Sequence, residues 1–382
     1  MKKIGILFIV MIGVILVGCT PSEPPETTPE EQEYIEENVN MEILSEELES
    51  PWGLDFYNSD YIFITERVGN IVLFDLSSYE KTEIGNVPEV VDQGQGGMLD
   101  VEYDEPYLYV TYVASNDEGT ATHLGRGEFN YDEMRLDNFE ELYVVEPYKE
   151  GSSHFGSRVI TTQDYVYMST GDRGDKDFDE SHISQDTQNS AGAIVRLNKD
   201  GSVPETNPFI DDDDKKSSIY TFGHRNVQGM TIHPERETIW ISEHGERDGD
   251  TISELVTGAN YGWPLAHYGC EYGTTIPVGD QPDELDWVEE PEYYWECQSG
   301  GFPPAGMDFY EGDEFEEWQG DLFLGNLAGQ YLGRFSMEDG ELEERAPLLD
   351  DRGWRIRDVR ESSYGELYVL VDSGEVVRLS SS

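Results

Sequence analysis

The chain has 382 residues, with 24 Lys and Arg against 81 Asp and Glu, a formal net charge of −57. So anionic a surface argues against nucleic acid as a partner, because phosphate binding depends on clustered cations. Self-repulsion at this charge opposes compaction in dilute buffer, whereas molar salt shortens the screening length to about 3 Å, so a salty, halophilic setting is expected. A moderately acidic surface stabilised by divalent ions is the alternative.

In chain order, the first stretch is "MKKIGILFIVMIGVILVGCT": two lysines, an apolar run short for a membrane span, and a small residue before Cys19. It resembles a lipoprotein leader, with a signal peptide over 1–18 and a lipid on the Cys19 sulfur. An uncleaved signal anchor is the other reading. Both put the folded part outside the cytoplasm, tethered to the outer face of the cell membrane. Residues 19–40 are mostly Pro, Thr and Glu, cannot bury a core, and read as an extended acidic linker. The fold is expected over 41–382.

From there a two-part unit recurs: an alternating strand of Tyr, Leu and Val, a polar turn, then a second strand. Copies lie at 60–76, 106–129, 164–197, 237–255, 320–335 and 365–379. Each follows a shorter apolar strand led by polar or small residues: "PWGLDF", "QGGMLDVEY", "HFGSRVIT", "RNVQGMTIH", "PAGMDFY" and "RIRDVRE". Six such units predict an all-β, six-bladed β-propeller with four-stranded antiparallel blades, since one blade cannot bury both faces alone. The segment 40–48, "NMEILSEEL", is expected to close the ring against the last blade. In a propeller the short strands line the central channel, so Gln95, His154, Arg225, Asn226, Arg355 and Arg357 should converge at one mouth. Polar filling of a wet channel would place them there as well.

Four stretches exceed what the repeat needs. "TFGHRNVQGM" (221–230) gathers His224, Arg225, Asn226 and Gln228, and "SEHGERDGD" (242–250) sets Glu243, His244 and further acids around two glycines. "GANYGWP" (258–264) is an aromatic turn. "RIRDV" (355–359) has two arginines at i and i+2, which share a strand face. The acidic run "GDRGDKDFD" (171–179) has the spacing of a calcium loop but reads more simply as a solvated turn. Trp263, Trp295 and Trp318 read as blade packing, with Trp263 able to lie near the mouth. His123, His182, His233 and His267 show no partner pattern. In an extracytoplasmic chain Cys270 and Cys297 are expected to pair as a disulfide.

Taken in order, "GQGGMLDV", "HFGSRV", "TGDRG", "GHRNVQG", "SEHG", "NYGWP" and "RIRDV" resemble the soluble quinoprotein sugar dehydrogenases: the aldose sugar dehydrogenases and soluble glucose dehydrogenases that use pyrroloquinoline quinone (PQQ), glucose/sorbosone dehydrogenase-like proteins. The resemblance implies oxidation of an aldose at C1 to an aldonolactone, with PQQ and Ca²⁺ as cofactors and electrons passed to an external acceptor. It implies His154 as general base and Arg225 as the cation beside the reacting atoms. Gln95, Asn226, His244, Arg355 and Arg357 would contact PQQ, and the backbone carbonyls of Gly245 and Glu246 would hold Ca²⁺. Local arginines suit a tricarboxylate, carbonyl oxygens suit a hard cation, and imidazole suits proton transfer near neutral pH.

Three departures stand out. The glycine of "EHG" is usually followed by proline, where this chain has Glu246, whose carboxylate could add a ligand. A cofactor-contacting lysine of the glucose branch corresponds to Glu311 in "FYEGD". The usual "GDEIN" reads "GDTIS". Glu246 and Glu311 keep an alternative open: a non-catalytic surface propeller binding glycans or proteins. A Ca²⁺-dependent lactonase is the third reading, and the arginine cluster counts against it.

Overall fold

A computed structural model of the protein describes residues 25, 27–338 and 340–382. The signal peptide and Cys19 lie outside the described residues. Among the described residues, no helix is long and apolar enough to cross a membrane.

Six four-stranded antiparallel sheets follow one another along the chain, five of them with their strands in sequence order. They are the six blades expected. Their innermost strands are Pro51–Asn58, Met98–Asp104, Gly156–Thr161, Val227–Ile232, Pro304–Phe309 and Ile356–Glu361, which are the six short strands read from the sequence. The sixth blade takes its outer strand from the other end of the chain: Val39–Ser45 pairs with Val376–Ser381, Met41 facing Leu379. The ring is thus closed by segments far apart in sequence.

Six hydrophobic clusters fill the six blade interfaces. Tyr109, Val159 and Val195 bridge the second and third blades, for example, and Leu54, Phe74 and Leu370 bridge the sixth and first. Burial of these faces between neighbours holds the ring together, at about 25 cal/mol per Å² of apolar surface.

One local device recurs in every blade. Each inner strand carries one extra residue near its start, relative to the strand beside it: between Pro51 and Leu54, Met98 and Val101, Gly156 and Val159, Val227 and Gly229, Pro304 and Met307, and Ile356 and Asp358. A bulge of this kind bends the strand and resets its alternation of sides. Consecutive residues can then both face the axis. Arg357 lines the mouth of the channel while Asp358, next in sequence, accepts from Arg158 inside it at 3.0 Å.

The channel is packed with charge. Arg158, almost wholly buried, bridges Asp100 at 2.9 Å and Asp358, and its Nε donates to the Gln228 carbonyl at 2.6 Å. Beyond it Asp55, Glu102, Asp308 and Arg360 form a second layer, where Glu102 Oε1 accepts from the Thr161 N–H and hydroxyl and Asp308 accepts from the Thr231 hydroxyl.

One expectation is corrected. Within the stretch read as an extended linker, Pro29–Asn38 is an α-helix. Thr28 caps it, its hydroxyl accepting from the Glu31 N–H at 3.2 Å while the Glu31 carboxylate reaches back to Thr28, and Pro29 occupies the first turn. Tyr34 and Ile35 pack on the interface of the last two blades, Tyr34 lying 5.9 Å from Trp318. Cys270 and Cys297 are joined, with their Cα atoms 5.5 Å apart, stapling a long excursion of the fourth blade.

Candidate active site

All inner strands start at the same mouth of the channel, around a cavity of about 260 Å³. Gln95, Asn226, Gln228, His244, Arg355 and Arg357 line it, together with Trp52, Arg67 and Asp372.

His154 sits at its edge, two residues before the third inner strand, with φ at 52°. A non-glycine residue holds this left-handed backbone only where its surroundings fix it. Here the Gln95 side chain accepts from the His154 N–H at 2.7 Å and Arg173 N–H donates to its carbonyl at 3.2 Å. Gly171 passes so close to that carbonyl that a side chain there would collide with it.

The ring of His154 is held in turn. Nδ1 lies 2.6 Å from Asp172 Oδ1, and Asp172, fully buried, also accepts from Trp263 Nε1 and from the Gly174 N–H, each at 2.8 Å. Burial pushes the Asp172 carboxyl up, but the His154 hydrogen bond and the charges of His154 and Arg225 outweigh it and hold the group below its usual value. An ionised carboxylate can only accept, so the imidazole proton is assigned to Nδ1 and the Nε2 lone pair is left open. No described residue bonds to Nε2.

Arg225 enters beside the fourth inner strand and is almost wholly buried. Its N–H donates to Glu243 at 2.9 Å, Nη1 to the His244 carbonyl at 3.2 Å and Nη2 to Glu246 at 2.7 Å, with its Cζ 5.3 Å from the centre of the Trp263 ring. Its Nε is buried without a partner among the described residues. Asn226 accepts from the Gly156 N–H at 3.1 Å, tying the third and fourth blades together at the mouth.

On the opposite side Arg355 and Arg357 share one counter-ion. Asp372 accepts from Arg355 Nε at 2.8 Å and from Arg357 Nε at 2.7 Å. Two cations against one anion leave a positive wall. His244 is neutral: burial, with the charges of Arg225, His154 and Arg357, pushes its pKa down to about 3 against the pull of its hydrogen bond to the Pro304 carbonyl at 2.6 Å.

Gly245 and Glu246 form the turn that follows. The Gly245 N–H donates to Asp250 at 2.9 Å and the Glu246 N–H to His267 Nε2 at 3.2 Å. Among the described residues no donor reaches either carbonyl oxygen. The Glu246 carboxylate, by contrast, is committed to Arg225 and to Lys176, whose Nζ is 2.6 Å from Oε2. No group of three His, Cys, Asp or Glu side chains suited to a metal occurs among the described residues.

The structure therefore brings together His154, Gln95, Arg225, Asn226, His244, Arg355 and Arg357, with Gly245 and Glu246 adjoining. Glu311 does not belong. It follows the far end of its inner strand, where its N–H donates to Glu361, so the mismatch it represents lies at the opposite mouth from the cavity. The acidic run 171–179 divides: Asp177 and Asp179 are exposed as expected, but Asp172 is the buried partner of His154. Reading by residue type missed Asp172, Asp372 and Arg67. The signal for Asp372 was indirect, since two arginines sharing one strand face call for a carboxylate nearby, Arg357 being mostly buried and Arg355 exposed.

The family model described as Glucose / Sorbosone dehydrogenase matches residues 48–378. The chain belongs to this family. It is an oxidoreductase of that family, in agreement with the seven ordered motifs. It is 33% identical to the aldose sugar dehydrogenase YliI of Escherichia coli K12 over 90% of this chain and 93% of that protein. It is 28% identical to quinoprotein glucose dehydrogenase B of Acinetobacter calcoaceticus over 62% of this chain and 55% of that one. Among solved structures, the soluble aldose sugar dehydrogenase of Escherichia coli in its apo-form matches this dehydrogenase with a TM-score of 0.83 at 32% identity, covering 90% of this chain and 99% of that one.

Proposed function

We propose that this dehydrogenase oxidises aldose sugars at C1 to aldonolactones, using PQQ and Ca²⁺ bound at the mouth of the channel. The observation that carries this reading is the His154–Asp172 pair at the edge of an arginine-lined cavity in a protein of net charge −57. The relatives named aldose sugar dehydrogenase and quinoprotein glucose dehydrogenase support the substrate class and the cofactor.

The residues fit both groups. A tricarboxylate needs concentrated cations, and Arg67, Arg355 and Arg357, which line the cavity, supply them. Arg225, buried behind Asn226 and the His244 carbonyl, adds an orphaned buried donor at Nε of the kind an anionic or carbonyl oxygen satisfies. The carbonyls of Gly245 and Glu246, free of protein donors, suit a hard cation.

When bound, PQQ supplies the acceptor for the C1 hydride and Ca²⁺ the Lewis acid on the accepting carbonyl. His154 Nε2 takes the proton of the C1 hydroxyl, a role worth about 10²–10⁴-fold for a positioned base. Asp172 keeps the ring in the productive tautomer and stabilises the imidazolium that forms. Arg225 would stabilise negative charge developing beside the reacting atoms, and Arg355 and Arg357 would hold the carboxylates of the cofactor. Gln95 fixes the strained backbone of His154. Asn226 anchors the third blade to the fourth at the mouth and would help to hold the cofactor there.

An external acceptor removes the electrons. The leader and Cys19 support a lipid-anchored enzyme on the outer face of the membrane. The test is a reconstitution of chelator-treated protein with PQQ, Ca²⁺, both or neither, followed by dye reduction with several aldoses and identification of the product. Activity that requires both additions and yields the lactone is expected; sugar oxidation independent of PQQ would overturn the reading.

A further inference from the structure

We propose that Glu246 is the positioning residue for Arg225, and that Lys176 and Glu246 latch the loop carrying Asp172 to the loop carrying His244; the consequence for catalysis rests on the function proposed above. Glu246 is almost wholly buried, its side chain 4% exposed. A carboxylate removed from water costs several kcal/mol unless cations meet it. Two do. Arg225 Nη2 lies 2.7 Å from Oε2, and Lys176 Nζ spans both oxygens at 2.5 and 2.6 Å.

The two arms differ in kind. Arg225, like Glu246, is 4% exposed at its side chain, whereas Lys176 is 55% exposed. The inner arm is a desolvated, charge-assisted hydrogen bond; the outer arm is a surface pair that salt screens. Without the Glu246 carboxylate, the Arg225 guanidinium keeps the charge of the nearby Asp172 and the face of Trp263, but a single hydrogen bond, 3.2 Å to the His244 carbonyl, to set its orientation. That is too little to fix a planar group with several rotatable bonds beside the reacting atoms.

The latch also couples two parts of the site. Lys176 lies four residues after Asp172, which orients His154, and Glu246 lies two after His244. The ion pair therefore ties the loop that carries the base's partner, on the third blade, to the loop that carries the Arg225 contacts, on the fourth. With both oxygens taken, the carboxylate of Glu246 serves the arginine and not a metal.

Glu246→Gln keeps the turn, its carbonyl and nearly the same shape. In apo-protein with ¹⁵N-labelled arginine, the Arg225 Nε–H should exchange with solvent about tenfold faster in E246Q than in wild type. With PQQ and Ca²⁺, E246Q should weaken PQQ binding about tenfold and lower kcat about tenfold, while KM for the sugar moves less than about twofold. Because both act through one guanidinium, Arg225→Lys combined with E246Q should be no worse than Arg225→Lys alone. Lys176→Met should cost about twofold at low salt and nothing in molar salt. Asp177→Asn, exposed in the same loop, should match wild type throughout. An E246Q protein with wild-type Arg225 exchange and PQQ affinity, or full additivity with Arg225→Lys, would overturn the proposal. Wild-type protein that takes up no PQQ would instead overturn the functional reading, and the exchange rates, which need no cofactor, would still decide this one.

Discussion

Asp172 is the residue that orients the His154 ring. Fully buried, it accepts from His154, Trp263 and Gly174, so its charge is met by fixed donors and its oxygen aims the ring. Asp172→Asn would put an amide where a pure acceptor is needed and invite the wrong imidazole tautomer. The expected result is a loss of about 10²–10⁴-fold in kcat, with PQQ affinity within about twofold of wild type; steady-state rates and a PQQ titration check it, and unchanged kcat would refute the role. The sequence displayed His154, Arg225, Asn226, Arg355 and Arg357 because each precedes or begins a short apolar strand. It hid Asp172 and Asp372 because both belong to acidic turns in a chain full of acidic turns. A carboxylate differs from its many neighbours only by being buried, and burial is a tertiary fact. Glu246 was visible as a departure, yet of the two cations that claim it, Arg225 comes from the start of its own blade's inner strand and Lys176 from the neighbouring third blade.

At the scale of elements, the bulge at the start of each inner strand explains how polar residues crowd the mouth without breaking the ladders below. Gly306 shows how tight this is: a Cβ there would fall on Asp358 Oδ1 and crowd Arg158 Nη2. Gly306→Ala should destabilise the protein by about 1–3 kcal/mol or more through overpacking of a buried ion pair, read as a lower denaturation midpoint. A variant as stable as wild type would show that the strands can part at no cost. Inner strands and repeats were legible because alternation and turn residues are local. The helix Pro29–Asn38 was misread because a Pro- and Glu-rich composition was weighed over the local signal "TPEE". That signal is a capping box with proline in the first turn, and the helix is then held by Tyr34 and Ile35 against a surface no local reading could supply. The pairing of Val39–Ser45 with the last strand was legible because both alternate and a ring needs closing.

For the whole molecule, two charge distributions set the response to solvent. In the channel, burial and then the neighbouring Asp55 push Glu102 up to about 8, while burial pushes Glu361, at the far end of the sixth inner strand, and Glu344, on the outer strand of the fifth blade, up to about 7. A carboxyl whose folded pKa is raised contributes stability below its unfolded value and loses it as pH rises through the folded one. Burial has the opposite consequence for His244 and His267, both pushed down to about 3, whose contribution is lost as pH falls below about 6.5. Above that pH only the carboxyls act, so the melting temperature at constant molar salt should fall between about pH 6.5 and 9, and Glu102→Gln should flatten the decline. A rise over that range would contradict the assignment. On the surface, the charge of −57 predicts a melting temperature that climbs steeply as NaCl goes from about 0.1 to 2 M, as screening shortens from about 10 Å to less than 3 Å; a flat profile would remove the halophilic reading.

The proposed function requires that PQQ be held at the mouth with His154 as the base facing the sugar. It is tested most directly by titrating wild type and His154→Ala with PQQ in Ca²⁺ and high salt, then mixing each complex with an aldose in a single turnover. Equal PQQ affinity is expected for the two proteins, with reduction of the bound quinone slowed about 10²–10⁴-fold in His154→Ala. Absence of PQQ binding to wild type, or a full rate without the imidazole, would contradict it.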